Sequence, residues 1–259
     1  MRGGLSLYVE GNSFLHRAHP FTKGVLMLSA VALAFIVPSA VWVAGILLVL
    51  LILATVARLS RRLVTGAVAV VVPLSLLIFA VQGFANPANR TVVFALGPIV
   101  YYQEGLAFAA FIVLRIACLV SATFLFSFTT RPADISEALM QNGLSPNMGY
   151  VLQAALQIIP QTLDMAVRIQ DAQRSRGLET EGPLHRRARA YLPLMLPLVL
   201  SSLVATQERA MALEVRGFGL AVKRQSRYVF ADSTAQRVTR WLMALAPPAA
   251  VVARVAGWQ

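Results

Sequence analysis

The chain has 259 residues and a formal net charge of +12, with 58% hydrophobic and only 13% charged side chains and a mean hydropathy of +0.68. Soluble domains carry about 25% charged residues, so too little polar surface remains to coat a water-soluble globule, and a disordered chain or a coiled coil is excluded as well. The basic residues flank long apolar runs instead of forming a folded basic face, which excludes a nucleic-acid-binding domain of ordinary composition. The composition is that of a membrane protein.

Taken in chain order, the first apolar run begins near Phe21, and its length does not read as a cleavable signal. It continues to Ala57, broken only at Pro38-Ser39. A hydrocarbon core of about 30 Å needs roughly 20 apolar residues of helix, so the run suits two short helices joined by a tight turn. Arg58, Arg61 and Arg62 close this hairpin, and a third span is expected over Leu63–Phe84. The turn-rich stretch from Asn86 to Tyr102 follows, then a fourth span over Gly105–Phe128 and a fifth from about Val238 to Val255, kinked at Pro247-Pro248. Cys118, the single cysteine, cannot form an intrachain disulfide and reads as a small buried packing residue. Arg115 is the one charge well inside a span, which points to a structural role such as pairing with polar groups at a subunit interface.

Orientation follows from the basic residues. An N-terminus in the cytoplasm places 20 of the 23 Lys and Arg on the cytoplasmic side, leaving only Arg90, Arg115 and Arg254 elsewhere. The expected architecture is an all-α membrane protein with about five transmembrane helices plus cytoplasmic amphipathic coupling helices. Residues 1–128 form the N-terminal arm and four spans, residues 129–228 the cytoplasmic region, and residues 229–259 the last span.

Within 129–228, Pro132 with Asp134 and Glu137 starts a short helix that Asn142-Gly143 ends, and Ser145-Pro146 starts another. Pro160 is expected to interrupt that run before an amphipathic helix from Gln161 to Gly177, whose Gln161, Asp164, Arg168, Asp171 and Ser175 make one polar stripe. Tyr191–Thr206, apolar but holding Pro193 and Pro197, reads as a separate helix along the membrane interface, and Leu203–Arg216 as a second amphipathic helix. The two amphipathic helices end alike. Ala172 to Leu178 and Ala212 to Phe218 share the pattern Ala-x-x-x-Arg-Gly-apolar, forty residues apart. Singly, each Arg-Gly is accounted for as a helix cap, with arginine at the negative end of the macrodipole and glycine in the left-handed position beyond it. Duplicated on one platform, they suit a partner that presents two matching acidic grooves, such as a dimeric ATPase.

At these residues the sequence resembles the transmembrane T subunit of energy-coupling-factor transporters, the family that includes the cobalt and biotin transporter T subunits. Ser175-Arg176-Gly177 and Val215-Arg216-Gly217 match the family's two coupling-helix signatures at arginine and glycine, with Ser and Val in place of the usual Ala. His16 to Lys23 is similar to its N-terminal His-x-x-Asp-Pro-x-x-Lys pattern, with His19 in place of Asp. Thr130 to Pro146 resembles the segment after its fourth span. The resemblance implies a non-catalytic subunit of an importer for a vitamin or a transition-metal ion, in a bacterial or archaeal cell membrane. Its implied partners are two ABC-type ATPase subunits at the arginine motifs, a membrane substrate-binding S subunit and the lipid bilayer, with no nucleic acid. No G-x-x-x-x-G-K-[ST] loop is present, so this chain is expected to bind no cofactor, the ATP being held by the partners. His16 and His19, spaced three apart with Pro20 following, make a poor metal pair, and no metal is expected. The rival classes fit less well. An intramembrane enzyme needs clustered acids, histidines or a serine–base pair, and a self-sufficient secondary transporter needs repeated, broken spans.

Overall fold

The computed structural model describes residues 8–11, 13–85, 91–96, 99–178, 184–218 and 232–257. Helices dominate them: α1 (Phe14–Arg17), α2 (Pro20–Ile36), α3 (Ala40–Val56), α4 (Ser60–Ala85), α5 (Gln103–Thr129), α6 (Pro132–Gln141), α7 (Pro146–Ser175), α8 (Leu184–Val215) and α9 (Thr234–Val255). Helix α4, over Ser60–Gln82, and α5 are each long and apolar enough to cross a bilayer. Helices α2 and α3, at 17 residues each, sit at the lower limit for spanning. The break between them falls at Val37-Pro38-Ser39, where proline has no N–H to continue the ladder.

Helices α1–α5 and α9 belong to one compact unit and α7 and α8 to another, the division falling within α6. In the first unit α5 is the hub, packing against α2, α3 and α4, while α9 packs on α2. Its core joins Val43, Leu50 and Ala54 of α3 to Leu63 of α4 and to Cys118, Ala122 and Leu125 of α5. Gly66 lets α4 approach closely, since a Cβ there would stand 2.8 Å from the Phe124 ring.

Two departures from the expected elements have physical causes. The segment before α5 contains a short antiparallel ribbon, β1 (Val92–Leu96) with β2 (Ile99–Tyr102), closed at its base by Gln103 N–H donating to the Thr91 carbonyl at 3.0 Å. Glu104 accepts from the Thr91 amide at 3.1 Å, anchoring the ribbon to the first turn of α5. Asn86–Arg90 lie outside the described residues, as do Gly97 and Pro98. The second departure is continuity. Helix α7 runs unbroken through Pro160, and α8 joins the expected interfacial segment, with its Pro193 and Pro197, to the second amphipathic helix in one continuous helix. An internal proline removes one backbone bond and bends a helix, and in helices of 30 and 32 residues the turns on either side hold it together.

Both ends of α2 are tied down by side chains from elsewhere. At its start, His19 is the N-cap, its Nδ1 accepting from the Phe21 amide at 3.3 Å in the place where an aspartate carboxylate would serve. The His19 amide donates to Gln236 Oε1 of α9 at 3.2 Å. Lys23 is buried, and its Nζ donates to the carbonyls of His16 at 2.9 Å and of Thr129, the last residue of α5, at 2.8 Å. The arm runs back along the same end, with Val9 N–H donating to the Phe128 carbonyl at 3.0 Å. His16 is held between the Ser13 hydroxyl at 2.7 Å and the Val9 carbonyl at 3.1 Å, so the two histidines serve helix-end geometry.

At its far end, α2 leaves carbonyls with no intrahelical partner. Arg254 Nη1 of α9 donates to the Ile36 carbonyl at 3.0 Å, and Arg115 Nη2 of α5 to the Val37 carbonyl at 3.1 Å. Helices α2 and α9 are therefore parallel, joined at both ends. Arg115 also lies over the Phe111 ring at 4.1 Å and near the Phe35 ring at 5.8 Å. Replacing Lys23 with methionine keeps the apolar stem but strands two buried carbonyls. Lys23→Met should lower stability by about 3 kcal/mol, as two hydrogen bonds to a charged group are lost, measured by thermal unfolding of the full chain in detergent micelles.

Candidate functional site

Helices α7 and α8 pack against each other. Tyr150, near the start of α7, meets Phe218, just past the end of α8, with ring centroids 4.9 Å apart. Further along, Arg209 of α8 donates to the Gln161 side chain of α7. These contacts make the pair antiparallel. Arg216 thus lies by the start of α7 and Arg176 at its end, some 26 residues from Tyr150, or of order 40 Å at the helical rise of about 1.5 Å per residue.

Helix α7 starts at Ser145, whose hydroxyl accepts from the Met148 amide, with Pro146 in the first turn. Close packing with α6 fixes this start, because a Cβ on Gly149 would stand 2.1 Å from Met140 Sδ. The last turns of α7 and α8 close with the same hydrogen bonds. Leu178 N–H donates to the Gln173 carbonyl at 3.0 Å and Gly177 N–H to the Arg174 carbonyl at 2.9 Å. Phe218 N–H donates to the Leu213 carbonyl and Gly217 N–H to the Glu214 carbonyl, both at 2.9 Å. This is the double-bonded Schellman closure, and it requires a left-handed residue: φ is +90° at Gly177 and +72° at Gly217.

Helix α6 closes in the same way, with Leu144 N–H on the Leu139 carbonyl and φ +104° at Gly143. What α6 lacks is the arginine. In α7 and α8 the residue before the glycine is Arg176 or Arg216, and both side chains are exposed, free to reach a partner. Ser175 is exposed, its hydroxyl donating to the Asp171 carbonyl at 3.1 Å, and Val215 is 89% exposed, far more than an interior valine. All six residues singled out from the sequence thus lie on exposed helix ends, three at each end of the α7–α8 pair. Arg115 sits apart, in the other unit. The contacts that orient the pair, Tyr150 on Phe218 and Gln161 on Arg209, are not marked by any local sequence signal. Among the described residues no group of three or more His, Cys, Asp or Glu is placed to hold a metal ion.

Fold and site define a helical membrane protein that carries an antiparallel helix pair with duplicated arginine ends. Residues 11–228 match the family described as cobalt transport protein, CbiQ. The chain is 31% identical over 221 residues to the energy-coupling factor transporter transmembrane protein EcfT of Brevibacillus brevis, covering 82% of this chain and 83% of the relative. It is 27% identical over 240 residues to EcfT of Exiguobacterium sibiricum, covering 87% and 90%, and 28% identical over 243 residues to EcfT of Listeria innocua, covering 88% and 91%. The chain belongs to the CbiQ family and is a transmembrane component of an energy-coupling factor transporter.

The closures themselves are testable. An alanine at either left-handed glycine adds about 1–2 kcal/mol of backbone strain. Gly177→Ala and Gly217→Ala should each speed hydrogen exchange of the amides in the adjoining final turn about tenfold or more, read by mass spectrometry, and leave α2–α5 unchanged.

Proposed function

We propose that this chain is the coupling subunit of an ATP-driven importer, passing conformational change from two ABC-type ATPase subunits to a membrane S subunit that captures a vitamin or a transition-metal ion. The observation that carries this reading is the placement of two like-capped arginines at opposite ends of one antiparallel pair. A partner with two equivalent acidic grooves is engaged at both together, and two-point attachment raises avidity through effective concentration. A movement that changes the distance between the grooves then acts on both ends of one packed unit. Arg176 and Arg216 each insert a planar guanidinium between carboxylates of one ATPase, a contact that lysine reproduces in charge but not in shape. ATP binding and hydrolysis belong to the partners.

In this reading the chain lies in a bacterial or archaeal cell membrane with its N-terminus and the α7–α8 pair in the cytoplasm, the side favoured by 20 of 23 basic residues. In a Cys118→Ser background, an impermeant thiol reagent added from outside should modify Asn89→Cys and spare Glu179→Cys; the reverse pattern overturns the topology.

The coupling role is read by copurification of the ATPase pair with Arg176→Ala, Arg216→Ala, the two lysine variants and the double alanine. Truncating one partner of a desolvated charged contact costs about 2–5 kcal/mol. Each alanine should therefore weaken recovery or uncouple hydrolysis from transport, each lysine should rescue in part, and the double alanine should lose the ATPases almost entirely. If all five variants behave as the unsubstituted protein does, the arginines are helix caps and nothing more.

A further inference from the structure

At the end of the first unit where α2 breaks, a groove of about 720 Å³ opens between the α2–α3 turn and the last turns of α9, within the range of small-molecule sites. Ile36, Pro38 and Trp42 form one wall and Ala250, Ala253 and Arg254 the other. The walls are mostly apolar, with Ser39 the other polar side chain beside the only charge, the Arg254 guanidinium. One of its five N–H donors rests on the Ile36 carbonyl. Among the described residues no carboxylate forms an ion pair with Arg254 or with Arg115 on the neighbouring Val37 carbonyl. This end of the helix cluster therefore carries two cations compensated by carbonyl dipoles and, for Arg115, aromatic rings, with no carboxylate.

The matter available to such a groove is set by its depth. Helices α2 and α9 both end here and α3 begins, which puts the groove at the boundary between hydrocarbon and headgroups. Water is a poor filler for apolar walls, and an acyl chain is the apolar matter at hand. Arginine at a helix end extends its charge towards the headgroups, and tryptophan concentrates at the same level. Trp42 is 71% exposed there.

We propose that this groove is a binding site for an anionic phospholipid, its phosphate on the Arg254 guanidinium and one acyl chain lying between Trp42 and Ala253. The lipid comes from whichever leaflet lies at this end, so the site stands independently of the coupling role. Charge complementarity selects a net-negative headgroup over a zwitterionic one, whose own ammonium competes for the phosphate.

The test uses the full chain carrying Trp241→Phe and Trp258→Phe, which leaves Trp42 as the only tryptophan, reconstituted in lipid nanodiscs. In nanodiscs holding equal amounts of phosphatidylglycerol and phosphatidylcholine, quenching of Trp42 when only the phosphatidylglycerol carries acyl bromine is compared with quenching when only the phosphatidylcholine does. A preference of about fivefold for the anionic lipid is expected, as one basic residue near a membrane surface contributes about 1 kcal/mol. Arg254→Gln should bring the two lipids to parity and Arg254→Lys should keep most of the preference. Ala253→Phe, which fills the groove and leaves the arginine in place, should lower quenching by both lipids. Equal quenching by the two lipids in the unsubstituted groove, as bulk acyl chains or a protein segment there would give, overturns the proposal. So does a preference that survives Arg254→Gln.

Discussion

A backbone carbonyl left open within a bilayer has no water to accept from, and each one left unsatisfied costs several kcal/mol. Helix α2 has two such places, the end of α5 that abuts its first turn and its own broken end at Pro38. The first unit is organised around closing them. Lys23 closes one by reaching the last carbonyl of α5 and the last turn of α1 together. Arg115 and Arg254, from two different helices, close the other. Because those donors belong to α5 and α9, satisfying α2 also fixes which helices stand beside it.

The second unit follows a different logic. Helices α7 and α8 keep many apolar side chains exposed, among them Leu163 and Val167 on α7 and Leu192 and Leu196 on α8. The long faces carry these side chains beside a few charges such as Arg168, while the tips each present an arginine next to a left-handed glycine. In the proposed coupling role the tips would recognise by charge and shape while the apolar faces offer area, as suits a component held at fixed points while the remainder moves.

Much of this was legible in the amino-acid order, for identifiable reasons. Uniformly apolar runs declare a span whatever packs against it, so α2 to α5 and α9 fall close to their expected bounds. Arg-Gly at a helix end is a local signal, since the left-handed glycine needs nothing from the rest of the fold. Proline was read too strongly at Pro160, which the neighbouring turns of a long helix carry through, since no local rule separates a kink from a stop; the interfacial segment and the second amphipathic helix were separated although they overlap at 203–206 and form one helix. The ribbon before α5 had a signal in Val92-Val-Phe and Ile99-Val-Tyr-Tyr around Gly97-Pro98, of the kind that marks short strands. The donors for α2 were beyond reach. Arg115 and Arg254 were visible as charges in the wrong place, but the carbonyls they serve are chosen only when α5 and α9 have packed.

The cations at the two ends of α2 are held by neutral dipoles and not by carboxylates. Mobile ions screen exposed charge pairs within about 10 Å at 0.1 M salt, but they do not enter a dry helix junction. The buried Lys23 junction should therefore hold at ionic strengths that dissolve surface ion pairs such as Arg131 with Glu10. This gives the molecule two regimes, exposed ion pairs that loosen with salt and a buried start of α2 that does not register it.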